Sequence, residues 1–568
     1  MPSKALFLSK LATDIDANGN LTADGVVGGE LGGSVTVYDS IGLLPYQGNQ
    51  IGDEAFVNSN NRLYLWQGSG WYNIALINQA PSILSVQDSD GGTTPFELSS
   101  EGNVTTITIT ATDSDGDPIT FSATADSDFN GLATISQDAS VFTVTPLSED
   151  SATTTSGTVT FTATDGINIS TDINTFTLSF APNWTAVSQQ AKIQADDGAE
   201  TDFFGRSVAI DGDTAIVGAW QHDPSGVTNV GAAYIFTRSG STWTQQAKLT
   251  PSDGVSQDMF GYSVAIEGDT VVVGSRDHHT SNVINSGAAY IFTRSGSTWT
   301  EQAKLGASDP AVSGFFGYGV AIEGDTVVVS AWRQDNELGA VYVFVTSDGG
   351  STWTQQAKLR SSDIGSGDRF GSAIGISGDT IGVGAYLHDP SGLSNAGAAY
   401  IFTRSGSTWT QQAKLTASDA EADDNFGFGG LGISGDTVVI GAIEESTTAT
   451  DAGAAYIFTR SGSTWTQQAK IQANDAAADD NFGESIDIGD GVIVVTARNA
   501  DPSGLSGAGA AYVFTGSGST WTQQAKLTAS DAEASDRFGE TIRIDEETII
   551  VGASGESSNV GAAYIFTA

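Results

Sequence analysis

The dipeptide Phe-Gly recurs at Phe204, Phe260, Phe316, Phe370, Phe426, Phe482 and Phe538, at spacings of 56, 56, 54, 56, 56 and 56 residues. A Trp-Thr pair keeps step with it at Trp184, Trp243, Trp299, Trp353, Trp409, Trp465 and Trp521, and each pair leads into Gln-Gln-Ala-Lys or Glu-Gln-Ala-Lys. A fixed period of this length means one supersecondary unit stacked on copies of itself, because a single unit cannot bury its apolar face alone. Seven copies of both landmarks predict seven units.

Within the first unit four short alternating or β-branched runs stand out: Ser207–Ile210, Thr214–Gly218, Ala232–Thr237 and Thr242–Leu249. Gly212-Asp213 and Arg238-Ser239-Gly240-Ser241 supply hairpin chemistry between them. No apolar period of 3.6 residues competes, so helices are not expected. Four antiparallel strands per unit, seven times, describe the blades of a β-propeller. The phase adds closure. The first copy starts at the fourth strand, Trp184 to Ile193, and the last stops after the third, Ala562 to Thr567. Strands from both ends are therefore expected to share one blade, leaving the ring without a free sheet edge.

These residues resemble the FG-GAP repeat of integrin-type propellers over residues 184–568. The second element of that repeat stands as Gly218-Ala219, Gly384-Ala385, Gly441-Ala442 and Gly552-Ala553, with Gly274-Ser275, Ser330-Ala331 and Thr496-Ala497 as weaker copies. The family's aspartate-rich calcium loops lie between the two elements; here that interval is a tight Gly-Asp turn in most units, a departure from the pattern. Residues 80–182 form a different unit of short strands with regular turn signals. It resembles cadherin-like and bacterial Ig-like modules at NQAPSI and ATDSDGDP. Residues 1–44 read as an attachment arm. Residues 45–79 read as a small β-hairpin element in which Tyr64, Trp66, Trp71 and Tyr72 pack together. Residues 45–182 together resemble structural proteins of tailed phages, especially those of marine cyanobacteria, whose N-terminal part commonly attaches to the particle. The expected class is thus all-β: a seven-bladed propeller over 183–568, preceded by an Ig/cadherin-like β-sandwich and a small N-terminal β element.

Charge narrows the partners. The 568 residues hold 67 Asp and Glu against 22 Lys and Arg, a net charge of −45. Such a chain repels phosphate backbones and anionic membrane surfaces, so neither nucleic acid nor membrane insertion is expected. Zero cysteines exclude disulfides, thiolate metal sites and a cysteine nucleophile. The stretch from Ala5 to Ala12 is broken by Ser9 and Lys10, and no signal peptide is read there. An outside-the-cell composition without a leader fits release by lysis, as for a virus particle.

Three sets of residues are candidates for chemistry. Asp113, Asp115 and Asp117 alternate around a glycine and can converge on a hard cation, with calcium as the candidate cofactor. The alternative is an Asx-rich turn. The loops before each Phe-Gly carry paired aspartates, such as Asp197 and Asp202, read as turn caps. The repeat tryptophans read as blade packing, and the repeat lysines as solvated edge charges or packed stems. The third set lies in the loops between second and third strands, where the units differ most. Trp220, Trp332 and Tyr386 open such loops, accompanied by Arg276, Arg333, His222, His278, His279 and His388. Aromatic rings stack on sugar faces and polar groups bond hydroxyls, and aromatic and Arg anchors also suit a protein receptor. Drift of surface loops is the competing explanation.

No GxSxG elbow is present, and a repeat propeller without a catalytic insertion reads as non-enzymatic. The expected function is a virion structural protein, a tail fibre, spike or surface appendage. It would contact other virion proteins through its N-terminal region and a host-surface glycan or protein through its propeller; homo-oligomerisation is compatible. The rivals are a secreted or cell-surface bacterial adhesin, a polysaccharide-degrading enzyme, and an architectural or capsid-decorating virion protein.

Overall fold

The computed structural model describes residues 36–45, 47–50, 53–57, 62–66, 68–74, 80–88, 93–99, 104–114, 118–147, 156–179, 184–280, 283–489 and 491–568. Two compact units emerge, Met1–Ala181 and Pro182–Ala568. Among the described residues no helix is long and apolar enough to cross a membrane.

Among the described residues the first unit holds three sheets. Thr36–Tyr38, Glu54–Val57, Arg62–Trp66 and Trp71–Ile74 form one, in that order. The expected hairpin is therefore a four-stranded sheet, and its first strand, paired parallel to the second, comes from the segment read as an arm. Trp66 and Trp71 do meet, edge to face at 5.6 Å. The Tyr72 side chain and residues 1–35 lie outside the described residues. The other two sheets are Ser82–Asp88, Thr105–Thr112, Val141–Pro146, Ala133–Asp138 and Phe96–Ser99, Ile169–Ser179, Ser156–Thr164, Thr120–Ala125. Both contribute to one core, with Ile107, Phe142 and Val144 from the first and Phe96, Phe161 and Phe176 from the second. Alternation puts these side chains inside and the threonines between them outside.

The second unit is a ring of seven four-stranded sheets. Blade 1 consists of Phe204–Asp211, Thr214–Ala219, Ala232–Ser239 and Thr242–Leu249, hydrogen-bonded in chain order. Blades 2 to 6 repeat it. Blade 7 joins Phe538–Asp545, Thr548–Ala553 and Ala562–Thr567 to Ser188–Ile193 from the start of the propeller. Ser188 pairs with Thr567 and Ile193 with Ala563, antiparallel. Both ends of the repeat array thus close one blade. In blades 3 and 4 the innermost strand begins late, at Val320 and Ile374, and Phe316 and Phe370 are held by single bridges to Gly287 and Gly339.

Burial explains the ring. The tyrosine of each Ala-Ala-Tyr or Ala-Val-Tyr strand, from Tyr234 to Tyr564, is fully buried. Phe204 meets Tyr234 and Phe236 edge to face at 5.6 and 5.9 Å, and the other six units repeat the contact. Each core lies between neighbouring blades: Ile193, Ile550 and Ile565 of blade 7 pack with Val208, Val217 and Tyr234 of blade 1. Each such buried side chain contributes roughly 1.5–3 kcal/mol, so no blade is complete without its neighbour. The Gly-Ala element is a junction device. A Cβ at Gly218 would lie 2.0 Å from the carbonyl oxygen of Gly261 in the next blade.

Candidate functional site

Most repeat polar residues are joints. Lys304 bonds Asp253 at 2.6 Å, and the Tyr290 hydroxyl donates to the same carboxylate at 2.8 Å. Each of the seven lysines makes such a pair with the first loop aspartate, from Lys192–Asp531 to Lys526–Asp475. Burial pushes the Asp253 carboxyl up, but the bonds from Lys304 and Tyr290 outweigh it and hold the group below the usual range. The reading of the lysines as solvated charges is corrected: each ties an outer strand to the connector that enters its own blade. The second loop aspartate caps its turn, as Asp202 does by accepting from the Ala199 N–H at 2.9 Å.

Three histidines from the candidate set belong to these joints. His222 sits between Asp202, 2.7 Å from Nδ1, and Lys248, 2.6 Å from Nε2. His278 and His388 repeat the arrangement with Asp258 and Lys304, and with Asp368 and Lys414. All three are buried, so they are withdrawn from the ligand-facing set. His279 is exposed on the loop and bonds the Asp277 carbonyl. Asp113 is described, whereas Asp115 and Asp117 lie outside the described residues.

What remains surrounds the propeller axis. Three places per blade point there while their neighbours repeat: the residue before Phe-Gly, the residue after it, and the residue after Gly-Ala or its equivalent. The first is Phe203, Met259, Phe315, Arg369, Asn425, Asn481 and Arg537, each with φ between 55° and 61°. Seven side-chain-bearing residues in the left-handed region cost about 1 kcal/mol or more each, a strain that the surrounding fold imposes. The second place is Arg206, Tyr262, Tyr318, Ser372, Phe428, Glu484 and Glu540, which line a cavity of about 150 Å³. The third holds Trp220, Arg276, Trp332, Tyr386 and Arg498 among others.

Contacts link these places from blade to blade. Trp220 meets Tyr262 at 5.8 Å, Tyr262 meets Tyr318 at 5.5 Å, and Tyr318 meets Trp332 at 5.0 Å. The Arg276 guanidinium lies 3.9 Å from the Tyr262 ring centre, and that of Arg369 lies 4.6 Å from Trp332. Arg369 also donates to the Tyr386 hydroxyl at 2.6 Å, and Tyr386 meets Phe428 at 4.7 Å. Arg333 pairs with Glu337 and lies 5.5 Å from the Phe315 ring centre. On the opposite arc Arg498 lies 3.4 Å from Glu484 and 3.6 Å from Glu540, and Arg206 lies 3.5 Å from Glu540. Burial raises the Glu484 carboxyl despite Arg498, and Glu540 adds repulsion. One arc of the mouth is aromatic and stacked with guanidinium; the other is a carboxylate pair bridged by arginines.

The loop residues Trp220, Arg276, Trp332, Arg333 and Tyr386 are thus brought together. Phe203, Tyr262, Phe315, Tyr318, Arg369, Glu484 and Glu540 were missed. Their signal was present as variation between units immediately beside the invariant Phe-Gly pair.

The FG-GAP repeat family matches residues 187–236, 243–292, 299–344, 353–402, 409–458, 465–514 and 521–566, more than half of the chain. The chain belongs to the FG-GAP repeat family. No curated protein matches it. Among solved structures, the FG-GAP propeller is similar to the β-propeller domain of the Trilobed protease from Pyrococcus furiosus, at 9% identity and TM-score 0.39, over 67% of this chain and 94% of that one. It is also similar to the GH74 xyloglucanase from Xanthomonas campestris, at 12% and 0.39, over 64% of this chain and 54% of that one. A third is the GH93 α-L-arabinofuranosidase of Fusarium graminearum, solved with arabinobiose, at 13% and 0.32, over 52% and 89%. The expectation of a non-enzymatic chain is corrected here. It rested on the regularity of a repeat propeller, and the similar structures include enzymes. At these identities and TM-scores the likeness assigns no activity to the FG-GAP propeller.

Proposed function

We propose that this chain is a virion structural protein, a tail fibre, spike or comparable surface appendage, whose propeller adheres to a glycan of the host surface through its axial mouth. The supporting observation is the aromatic–arginine arc. Six aromatic side chains, Trp220, Tyr262, Tyr318, Trp332, Tyr386 and Phe428, gather on one face while most repeat aromatics are buried in cores or stacked at blade edges. Rings of this kind cover the apolar faces of sugars, and the polar groups between them bond hydroxyls. In this reading the two-sheet segment is an Ig/cadherin-like spacer, and the N-terminal sheet contacts other virion proteins. The test is adsorption of host cells by the intact protein and by a Trp220→Ala, Trp332→Ala, Tyr386→Ala variant that retains its melting transition. Loss of adsorption in the variant supports the reading; equal adsorption moves recognition off this mouth.

A second reading has its own observation. Glu484 and Glu540 share the Arg498 guanidinium at the cavity wall, and burial holds Glu484 toward its protonated form. Glycoside hydrolysis uses a carboxyl pair of which one member stays protonated. In that case Glu484 is the proton donor to the leaving oxygen. Release of reducing ends from host polysaccharide, lost in Glu484→Gln, would establish it.

A further inference from the structure

We propose that the axial mouth selects an acidic saccharide, one whose terminal unit carries a carboxylate, and that Arg206, Arg276, Arg369 and Arg498 impose that choice. The inference rests on the reading of the mouth as a saccharide site and names its ligand class.

Charge is the first observation. The molecule carries a net −45, and its repeat lysines are each paired with a loop aspartate. Five arginines nevertheless stand at the three variable places, Arg206, Arg276, Arg369, Arg498 and Arg537, and the first four of them meet aromatic rings or carboxylates around the axis. Against them stand the carboxylates of Glu484 and Glu540 at the cavity and of Asp277, which pairs with Arg276 at 3.2 Å. The mouth is a local excess of cation in an anionic protein, and such a patch concentrates anions against the field of the whole molecule.

Geometry is the second. Arg276 and Arg369 lie against the faces of Tyr262 and Trp332. Arg276 Nε bonds Asp277 at 3.2 Å and Arg369 donates one bond to the Tyr386 hydroxyl, so each guanidinium is held in place with part of its planar fork left for an acceptor such as a carboxylate. Arg369 Nε and Arg498 Nε are buried and have no hydrogen-bond partner among the described residues. Buried donors left unpaired lose their bonds to water without replacement, a loss that an anionic ligand would recover. The indole N–H groups of Trp220 and Trp332 add two more unpaired donors.

The third observation is the buried Glu484 Oε2, which has no partner either. A carboxylate alone as ligand offers it no partner; a carboxylate on a sugar ring brings hydroxyls, which can bond Glu484 Oε2 as donor or acceptor. A simple inorganic anion satisfies the arginines and leaves Glu484 unmet. The cavity of about 150 Å³ is smaller than the roughly 300–1,000 Å³ that encloses a drug-sized ligand. It therefore reads a chain end, with the rest of the glycan lying across the aromatic arc.

The experiment is titration calorimetry of the full chain with matched probes: trimers of galacturonate, glucuronate and mannuronate, the methyl ester of each, and a sulfated trisaccharide. At low salt at least one acid should bind about tenfold tighter than its own ester, and the advantage should shrink in 0.5 M NaCl. Arg369→Gln and Arg498→Gln, folded by their melting transitions, should bring that acid down to the affinity of the ester. Equal binding of every acid and its ester overturns the inference and leaves saccharide binding standing. Tighter binding of the sulfated probe than of any uronate overturns the carboxylate assignment. No binding by any probe overturns both the inference and the glycan reading beneath it.

Discussion

The guanidinium of Arg276, on the loop between the second and third strands of blade 2, lies 3.9 Å from the centre of the Tyr262 ring on the innermost strand of the same blade. The pair couples two of the three places where the blades differ, and the same guanidinium reaches Trp220 of the neighbouring blade at 5.7 Å. Replacing Arg276 with Lys keeps the charge and loses the planar stack. Arg276→Lys is expected to shift stability by no more than about 1 kcal/mol, while weakening saccharide binding severalfold. Thermal melting and calorimetry on one preparation separate the two effects.

Closure of the ring is testable by truncation. Removal of residues 562–568 takes the third strand from blade 7 and leaves Ser188–Ile193 without a partner. The ring then has open edges and an exposed core that includes Phe204 and Ile550. The cooperative melt of the propeller is expected to broaden and fall; an unchanged transition would show that the clasp carries little of the stability.

Asp424 is the counterpart of Asp202, but Glu445 stands where blade 1 has His222. Burial, with repulsion from Glu445 and Glu421, pushes its carboxyl up to about 6, against the bond from the Glu421 N–H. The folded value exceeds the unfolded one, so the contribution to stability is full below about pH 3.8 and is lost as pH rises through 6. Asp424→Asn keeps an oxygen for the Glu421 N–H and removes the charge. It is expected to stabilise by on the order of 1–2 kcal/mol at pH 7.5 and by little at pH 4.5, read from denaturant unfolding at both.

The first loop aspartates have the opposite sign. Asp253 is held low by Lys304 and Tyr290, so its contribution exists above the ordinary carboxylate value and disappears as pH falls below it. Lys304→Met should cost about 1 kcal/mol at neutral pH, since the aspartate is half exposed. That cost should vanish in acid, where the wild type has also lost the pair. A cost that does not change with pH would assign the effect to packing of the lysine stem.

Gly552→Ala tests the blade junction. A Cβ there would lie 2.0 Å from the Gly205 carbonyl oxygen, and about 1–3 kcal/mol of destabilisation is expected by equilibrium unfolding. Ser330 and Thr496 occupy the same place in blades 3 and 6, where their hydroxyls accept from the N–H groups of Gly319 and Ser485. The penalty therefore belongs to junctions where a glycine carbonyl approaches, not to the place as such.

The blades were legible because period, turn chemistry and strand alternation all agree at Phe204–Leu249 and its copies, and the phase of Trp184 foretold the clasp. The histidines were misread because a loop position says nothing of depth: His222 lies beneath its loop, bonded to Asp202 on the preceding connector. Tyr262 and Glu484 escaped notice because they sit on a strand, where alternation suggests core. At the innermost strand of a ring the inward face is the channel, a fact that only closure supplies. The repeat lysines looked solvated because their aspartates lie about fifty residues away in sequence, as Lys304 and Asp253 do at a separation of 51.

The clasp strand also decides how the propeller bears tension. Ser188 enters at the hairpin side of blade 7, opposite the mouth, and the strand runs toward the mouth beside Ala562–Thr567. A ligand held at the mouth and a pull on residue 187 would therefore act along the strand direction. Force in that direction shears the whole Ser188–Ile193 ladder at once instead of peeling its bonds in turn, with the Lys192–Asp531 and Lys192–Glu556 pairs as further stops. The joint that closes the ring is then also a joint aligned to carry a load.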